Sequence, residues 1–129
     1  MALTVPAPGS GTPIDVQLDA EKLDVYRLAV DLQAFVTPLL PKASAILRDQ
    51  LERASVSVVL NIAEGAGRRS WGEKRWLYAI ARGSAAECAA AIDLLAVRGL
   101  AEDQLCRDAR AQLVRIVQML TKLIQRFER

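Results

Sequence analysis

The densest cluster of charge that could bind an anion lies near the middle of the chain. Between positions 68 and 82 there are one acid, Glu73, and five basic residues, namely Arg68, Arg69, Lys74, Arg75 and Arg82. This segment carries a charge of +4 while the whole chain carries +2, so the remainder sums to −2. Trp71, Trp76 and Tyr78 are interleaved with the cations and could stack on unpaired bases. The pattern predicts contact with nucleic-acid phosphates; the alternative is a solvated helix face.

A second basic series follows near the carboxyl end, at Arg115, Lys122, Arg126 and Arg129. Its spacings of seven, four and three residues place it along one flank of a helix. It could extend the basic cluster. The residues predicted to contact nucleic acid are therefore Arg68, Arg69, Lys74, Arg75, Arg115, Lys122 and Arg126.

Polar residues beside two apolar stripes form a further constellation: Ser57, Asn61 and Glu64 on one predicted helix, and Arg82, Ser84 and Glu87 on the next. If partly buried, they must satisfy one another, because an unpaired buried charge is costly. We expect Arg82 to pair with Glu64 or Glu87, and Asn61 to bridge helices by hydrogen bonds. A network of this kind fixes helix register; the alternative is an acid–base pair formed by the two carboxylates.

The composition excludes several classes of protein. There is no histidine, which removes the commonest general base and metal ligand. The two cysteines, Cys88 and Cys106, have no partners at zinc spacing and are expected to be buried thiols without a disulfide. No stretch reaches the roughly 20 apolar residues of a membrane span, and the amino terminus lacks the basic start of a signal peptide. We expect a cytoplasmic, non-enzymatic protein without metal or cofactor.

Residues 1–18 are rich in proline and glycine and are predicted to form a disordered or extended tail. Four helices are predicted in residues 19–129: the first over 19–36, the second after an N-cap at Ser44, the third from a capping box at Ser70 and Glu73 to Gly99, and the fourth over 101–127. The second helix is expected to end at Gly65-Ala66-Gly67, with Gly65 in the left-handed conformation that glycine allows.

Apolar residues recur every three or four positions on each predicted helix. The stripes are 23, 26, 30 and 34; 47, 51, 54, 58 and 62; 77, 80, 84, 88, 91 and 95; and 105, 109, 113, 116, 120, 123 and 127. Short connections favour antiparallel neighbours, so the predicted fold is all-α, an antiparallel up-down four-helix bundle. A second apolar set on the fourth helix (Val114, Val117, Met119, Ile124) suggests a contact with another copy of the chain, or deeper burial.

One motif is more specific than helical periodicity requires. It runs from Arg53 to Ser57, through the stretch from Asn61 to Gly65, to Gly67-Arg68-Arg69-Ser70, and continues at residues 73, 75, 77, 81–84 and 87. Together with Leu23-Asp24-Val25-Tyr26 and Ala29, it resembles the four-helix-bundle proteins encoded in intervening sequences of large-subunit ribosomal RNA genes. The resemblance covers residues 20–127.

Members of this family are similar to the accessory protein of diversity-generating retroelements, a ring-shaped homopentamer with a basic surface that binds nucleic acid and partners a reverse transcriptase. The resemblance thus implies a homo-oligomer, five subunits, a role with RNA or DNA, and no enzymatic activity. The alternative function is a protein–protein adaptor for a partner such as a reverse transcriptase, with no nucleic-acid affinity of its own.

Overall fold

The computed structural model describes residues 17–128 as four α-helices and two short 3₁₀ helices. The α-helices are α1 (Asp24–Val36), α2 (Ala45–Ala66), α3 (Trp71–Val97) and α4 (Asp103–Arg126). α2 packs against α3, α3 against α4, and α1 against both α2 and α4. This arrangement confirms the predicted all-α four-helix bundle. Of the predicted tail, all but Gln17 and Leu18 lies outside the described residues.

The first helix begins later than the sequence suggested. Asp19–Lys22 is a separate 3₁₀ helix, and Leu23 has an extended backbone (φ −100°, ψ 126°) that separates it from α1. The predicted stripe of α1 is also wrong: the buried positions are Val25, Ala29, Leu32 and Val36. Apolar residues occupy most positions of this segment, so periodicity alone did not select the face that packs.

The stripe of α2 is confirmed, since Leu47, Leu51, Ala54, Val58 and Ile62 are all buried. Ser44 caps the helix by accepting a hydrogen bond from the backbone N–H of Leu47 at 3.4 Å. Ser70 likewise caps α3 by accepting from Glu73 N at 3.3 Å.

The stripes of α3 and α4 are confirmed in part, because the buried face of each helix is rotated slightly from the predicted one. On α3 the core positions are 77, 78, 81, 85, 88, 91, 92 and 95; on α4 they are 106, 109, 113, 116, 120 and 124. Ile124, one of the second apolar set of α4, therefore belongs to the core, whereas Val114 is exposed. Cys88 and Cys106 are both buried free thiols, as expected.

The left-handed glycine lies at the end of α3 instead of α2. Gly99 has φ +67° and is the one residue with positive φ within the described range. Its N–H bonds to Ala96 O and the next N–H, of Leu100, bonds to Leu95 O, which is the Schellman arrangement. Gly65 is helical and buried, so its predicted role as a left-handed cap is wrong.

Gly65 is required because a side chain at this position would collide with α3. A Cβ at this position would lie 2.8 Å from Cε1 of Tyr78 and 3.2 Å from Cβ of Leu77. Both neighbours belong to α3, and Tyr78 is only 2% exposed. The glycine therefore lets α2 and α3 approach closely where the basic cluster begins.

Candidate nucleic-acid interface

One end of the bundle brings together the carboxyl ends of α2 and α4 and the amino end of α3. Phe127, just after α4, joins them: its ring lies 5.6 Å from that of Trp71, edge-on, and 6.2 Å from that of Tyr78. The basic cluster predicted from the sequence is therefore continuous with the carboxyl end of the second basic series. We call this region the basic end.

Three of the side chains predicted to bind phosphate instead form an ion pair or hydrogen bonds with other groups of the chain. Arg68 forms an ion pair with Glu64 at 2.8 Å, one turn earlier on α2. That hydrogen bond and the Glu64 charge raise the pKa of Arg68 further above its ordinary value. Arg75 donates through Nη1 to the backbone oxygen of Phe127.

Lys74 closes the carboxyl end of α2. Its Nζ donates to Gly65 O at 3.1 Å and to Ala66 O at 3.0 Å, two carbonyls of the last turn; Gly65 O also accepts from the backbone N–H of Arg68 at 3.2 Å. The same ammonium lies 5.6 Å from the ring centroid of Phe127. Lys74 and Arg75 thus tie three helix ends together.

The other four predicted residues point to solvent. Arg69, Arg115, Lys122 and Arg126 are exposed and, within residues 17–128, make no hydrogen bond or ion pair. We call these four the free cations. Arg129, which continued the predicted series, lies outside the described residues.

α4 has an unusual distribution of charge. From Ala109 to Phe127 it contains Arg110, Arg115, Lys122 and Arg126 and no acidic residue. Arg110 is paired with Asp93 of α3 at 3.1 Å, while the other three lie on the exposed side. From Ala109 to its end, the solvent face of α4 therefore carries positive charge only, and it runs into the basic end.

The three aromatic residues predicted to stack on bases are separated in the structure. Tyr78 is buried, so its predicted stacking role is wrong; desolvation raises the pKa of its hydroxyl, with a smaller contribution from Asp19. Trp71 is partly exposed and faces Phe127 at the basic end. Trp76 is 64% exposed, but it lies on another face of α3.

The polar constellation is only partly connected. Ser57 and Ser84 share a hydrogen bond of 2.8 Å between α2 and α3. Asn61 donates to the backbone and hydroxyl oxygens of Ser57, on its own helix, so the prediction that Asn61 bridges helices is wrong. The serine pair makes the bridge.

The predicted ion pair of Arg82 is also wrong. Arg82 donates to Thr121 Oγ1 of α4 at 3.4 Å, while Glu64 is paired with Arg68. Glu87 is exposed and, in the described part of the chain, has no hydrogen bond or ion pair. The structure therefore does not bring Glu64 and Glu87 together as an acid and a base.

Two inter-helix contacts that sequence reasoning missed tie α1 into the bundle. Gln33 donates to the backbone oxygen of Ser55, and Gln112 to that of Leu28. Their acceptors are backbone oxygens, which no side-chain pattern reveals.

A shallow apolar groove lies between α3 and α4. It is lined by Ala89, Leu113, Val114 and Val117, with Arg110 and Gln118 at its rim. Within residues 17–128 no group of three or more His, Cys, Asp or Glu residues is arranged to hold a metal ion. None of the helices in this range combines the length and apolar character needed to cross a membrane.

Comparison with known proteins gives one family. The family model described as 23S rRNA-intervening sequence protein matches residues 21–122, which span all but the last turn of the bundle. A search of curated proteins finds no match.

Proposed function

Because the chain belongs to the 23S rRNA-intervening sequence protein family, we propose that it is a non-enzymatic, homo-oligomeric bundle that binds RNA or DNA. The contacts are made by the free cations, Arg69, Arg115, Lys122 and Arg126, with Arg68 at the edge of the same surface. Lys74 and Arg75 add positive potential, and their main role is to hold the basic end together.

The acid-free face of α4 is the observation that supports this proposal most strongly. A solvated helix ordinarily mixes both signs of charge, as the first part of α4 does with Asp103, Arg107 and Asp108. Three exposed cations without an intervening acid produce a one-signed surface that attracts a phosphate backbone. Arg69, at the amino end of α3, adds a cation where the free N–H groups of a helix also favour anions.

Trp71 favours a ligand with unpaired bases. It is partly exposed and is fixed edge-on against Phe127, among the cations of the basic end. A rigid exposed indole beside arginines can stack on a base, which a closed duplex does not offer. Self-association would multiply a modest charge per subunit, because several copies would hold one strand at once.

The subunit number implied by the family resemblance is five. The alternative function is an adaptor for a protein such as a reverse transcriptase, and the exposed Val114 in the groove between α3 and α4 favours it. In that case, nucleic-acid affinity would appear only in the complex.

The test is a fluorescence-anisotropy titration of the purified protein against labelled single-stranded RNA, single-stranded DNA and duplex DNA over a range of salt concentrations. If the four free cations each neutralise one phosphate, the slope of log K against log salt is about −2.8 for a single strand and about −3.6 for a duplex, per subunit engaged. We expect tighter binding to the single strands. No binding to any probe at low salt would refute direct binding and leave the adaptor alternative.

A further inference from the structure

The basic end places a partly exposed aromatic ring where the line of cations on α4 ends. Arg115, Lys122 and Arg126 are spaced seven and four residues apart, so they share one side of the helix. Phe127 follows directly, and the centroid of its ring lies 5.6 Å from that of Trp71. A strand whose phosphates follow the three cations toward the carboxyl end of α4 is therefore led to the indole.

The level of Trp71 along the bundle follows from the contact between Arg75 and Phe127. Arg75 donates to the backbone oxygen of Phe127, so the two residues lie close to the same level at the end of α4. Trp71 precedes Arg75 by about one helical turn, which carries it about 6 Å further toward the end of the bundle. α3 therefore begins beyond the last turn of α4, and Trp71 continues the line of cations.

Phe127 is held by two cations of α3, and it holds Trp71 in turn. Arg75 binds its backbone oxygen, and Lys74 Nζ lies 5.6 Å from the centroid of its ring. The planes of the Phe127 and Trp71 rings meet at 73°, in edge contact, while Trp71 remains 41% exposed. An edge contact restricts the orientation of the indole and leaves much of its surface open. The indole is thus preorganised as a stacking surface.

We propose that Trp71 is the stacking site of one unpaired nucleobase, at the point where a single strand lying along the cations of α4 leaves that helix, and that Phe127 positions the indole. This inference rests on the proposed function: it names the ligand, a short single-stranded segment, and the one base that is held. It also gives Lys74 and Arg75 a part in binding, through Phe127 and not through phosphates.

The geometry limits the length of strand that one subunit engages. Arg115 and Phe127 are twelve positions apart, which is about 18 Å along α4, and Trp71 adds about 6 Å. Nucleotides of a stacked strand rise by about 3.4 Å each, so this distance corresponds to about seven nucleotides. A heptanucleotide is therefore the ligand expected to fill the site of one subunit.

Trp76 supplies a matched control on the same helix. It is 64% exposed, more than Trp71, but it lies five positions further along α3, on another face. A substitution there removes an exposed indole of the same size without altering the contact between Trp71 and Phe127. The chain contains two tryptophans, so each indole can be observed alone when the other is replaced.

The first experiment changes the ligand and leaves the protein intact. Heptauridylate is titrated at low salt by fluorescence anisotropy, and its base is removed at the first, the fourth or the last position, which keeps every phosphate. Loss of the base at one end should weaken binding about fivefold to a hundredfold. Loss at the fourth position or at the opposite end should leave the dissociation constant unchanged. The salt slope should be the same for all four strands, because it counts phosphates.

The second experiment changes the two rings. Trp71→Ala should weaken binding of intact heptauridylate by the same factor and should bind the intact and abasic strands equally, whereas Trp76→Ala should behave as the wild type. Phe127→Leu should weaken binding of the intact strand about twofold to tenfold and leave the affinity for the sensitive abasic strand unchanged, a pattern that unfolding does not produce. Circular dichroism and light scattering check that every variant keeps the helix content and molar mass of the wild type.

Fluorescence shows which indole meets the base. In Trp76→Phe the emission comes from Trp71 alone, so saturating heptauridylate should quench it, and the strand without the sensitive base should not. In Trp71→Phe the emission comes from Trp76 and should stay unchanged on binding.

The outcomes separate the two proposals. If neither heptauridylate nor longer strands bind at low salt, direct nucleic-acid binding is refuted and the Trp71 site with it. Binding of long strands without binding of heptauridylate refutes the one-subunit site. Equal constants for the intact and all abasic strands, or an equal loss at every position, refute the single base site and leave phosphate binding standing. A loss at one end only, absent in Trp71→Ala and smaller in Phe127→Leu, supports the site.

Discussion

Replacing Gly65 by alanine tests the close approach of α2 and α3 at the basic end. In an open helix this change would stabilise by roughly 0.5–1 kcal/mol, because alanine is the better helix former. Here the new Cβ would lie 2.8 Å from Cε1 of Tyr78 and 3.2 Å from Cβ of Leu77. Neither can move cheaply, since Tyr78 is buried in the core and Cβ of Leu77 is fixed to the α3 backbone.

The overpacking costs about 1–3 kcal/mol, so after the propensity gain of roughly 0.5–1 kcal/mol we expect a net loss of about 1 kcal/mol, and of at most about 2.5 kcal/mol. For a domain of this size the melting temperature should fall by about 4–8 °C. Gly65→Val, which adds a branched side chain, should cost more and exceed the effect of Arg69→Ala, which removes only a solvated charge.

Gly67→Ala is the matched control, at the end of the same helix. A Cβ there meets only backbone oxygens at 3.7 and 3.8 Å, which is ordinary contact, and φ is −81°. Its stability should therefore equal or exceed that of the wild type. Urea unfolding at one fixed protein concentration gives both values. If Gly65→Ala proves as stable as Gly67→Ala, the packing of Tyr78 against α2 described above is wrong.

Three further experiments test a hydrogen bond, a helix cap and the ionisation of a buried thiol. Ser57→Ala and Ser84→Ala should each lower the free energy of unfolding, measured with urea, by about 1 kcal/mol. The double variant should lose less than the sum, because one hydrogen bond joins the two hydroxyls. Strictly additive losses would contradict that bond. Lys74→Met should cost about 1 kcal/mol because the carbonyls of Gly65 and Ala66 each lose the hydrogen bond from its ammonium, whereas Lys122→Met, at a free cation, should stay within about 0.5 kcal/mol. Equal losses would refute the capping role of Lys74. Desolvation, with a smaller contribution from the charge of Glu87, raises the pKa of Cys88 from its ordinary value of 9.0 to about 12. Above about pH 9 the unfolded chain therefore binds fewer protons than the folded chain, and the free energy of unfolding falls as pH rises. Cys88→Ala should reduce this decline between pH 9 and 12 by up to about 1.4 kcal/mol per pH unit, and an unchanged slope would contradict the shift.

The fold could be predicted because helix-forming patterns are local. Ser44, Ser70 and Gly99 mark helix ends by their own chemistry, and the stripe of α2 stands out because its apolar positions recur without a break at spacings of four, three, four and four residues. α1 offered too many apolar positions for periodicity to select one face. The packed face there is decided by its neighbours, α2 and α4.

The details of the candidate site depend on how far each helix is rotated and shifted against the next. The sequence of α3 does not show that Arg82 bonds to Thr121 of α4 and not to the carboxylate of Glu64 or Glu87. Gly65 illustrates the same limit: the sequence shows that a glycine is present, but the need for it comes from Tyr78, thirteen positions later on another helix. Charge was easier to predict, because the basic series of α4 and the absence of acidic residues from Ala109 to Phe127 are visible in the sequence itself.

The most direct test of nucleic-acid binding compares two variants that remove the same charge. Lys122→Gln/Arg126→Gln neutralises two free cations beside the basic end, and Arg48→Gln/Arg53→Gln neutralises two exposed cations of α2. We predict that the salt slope for single-stranded RNA falls by about 1.4 for the α4 variant, with weaker binding, and stays at the wild-type value for the α2 variant. Equal slopes for the two variants would show that the α4 face does not contact the phosphates.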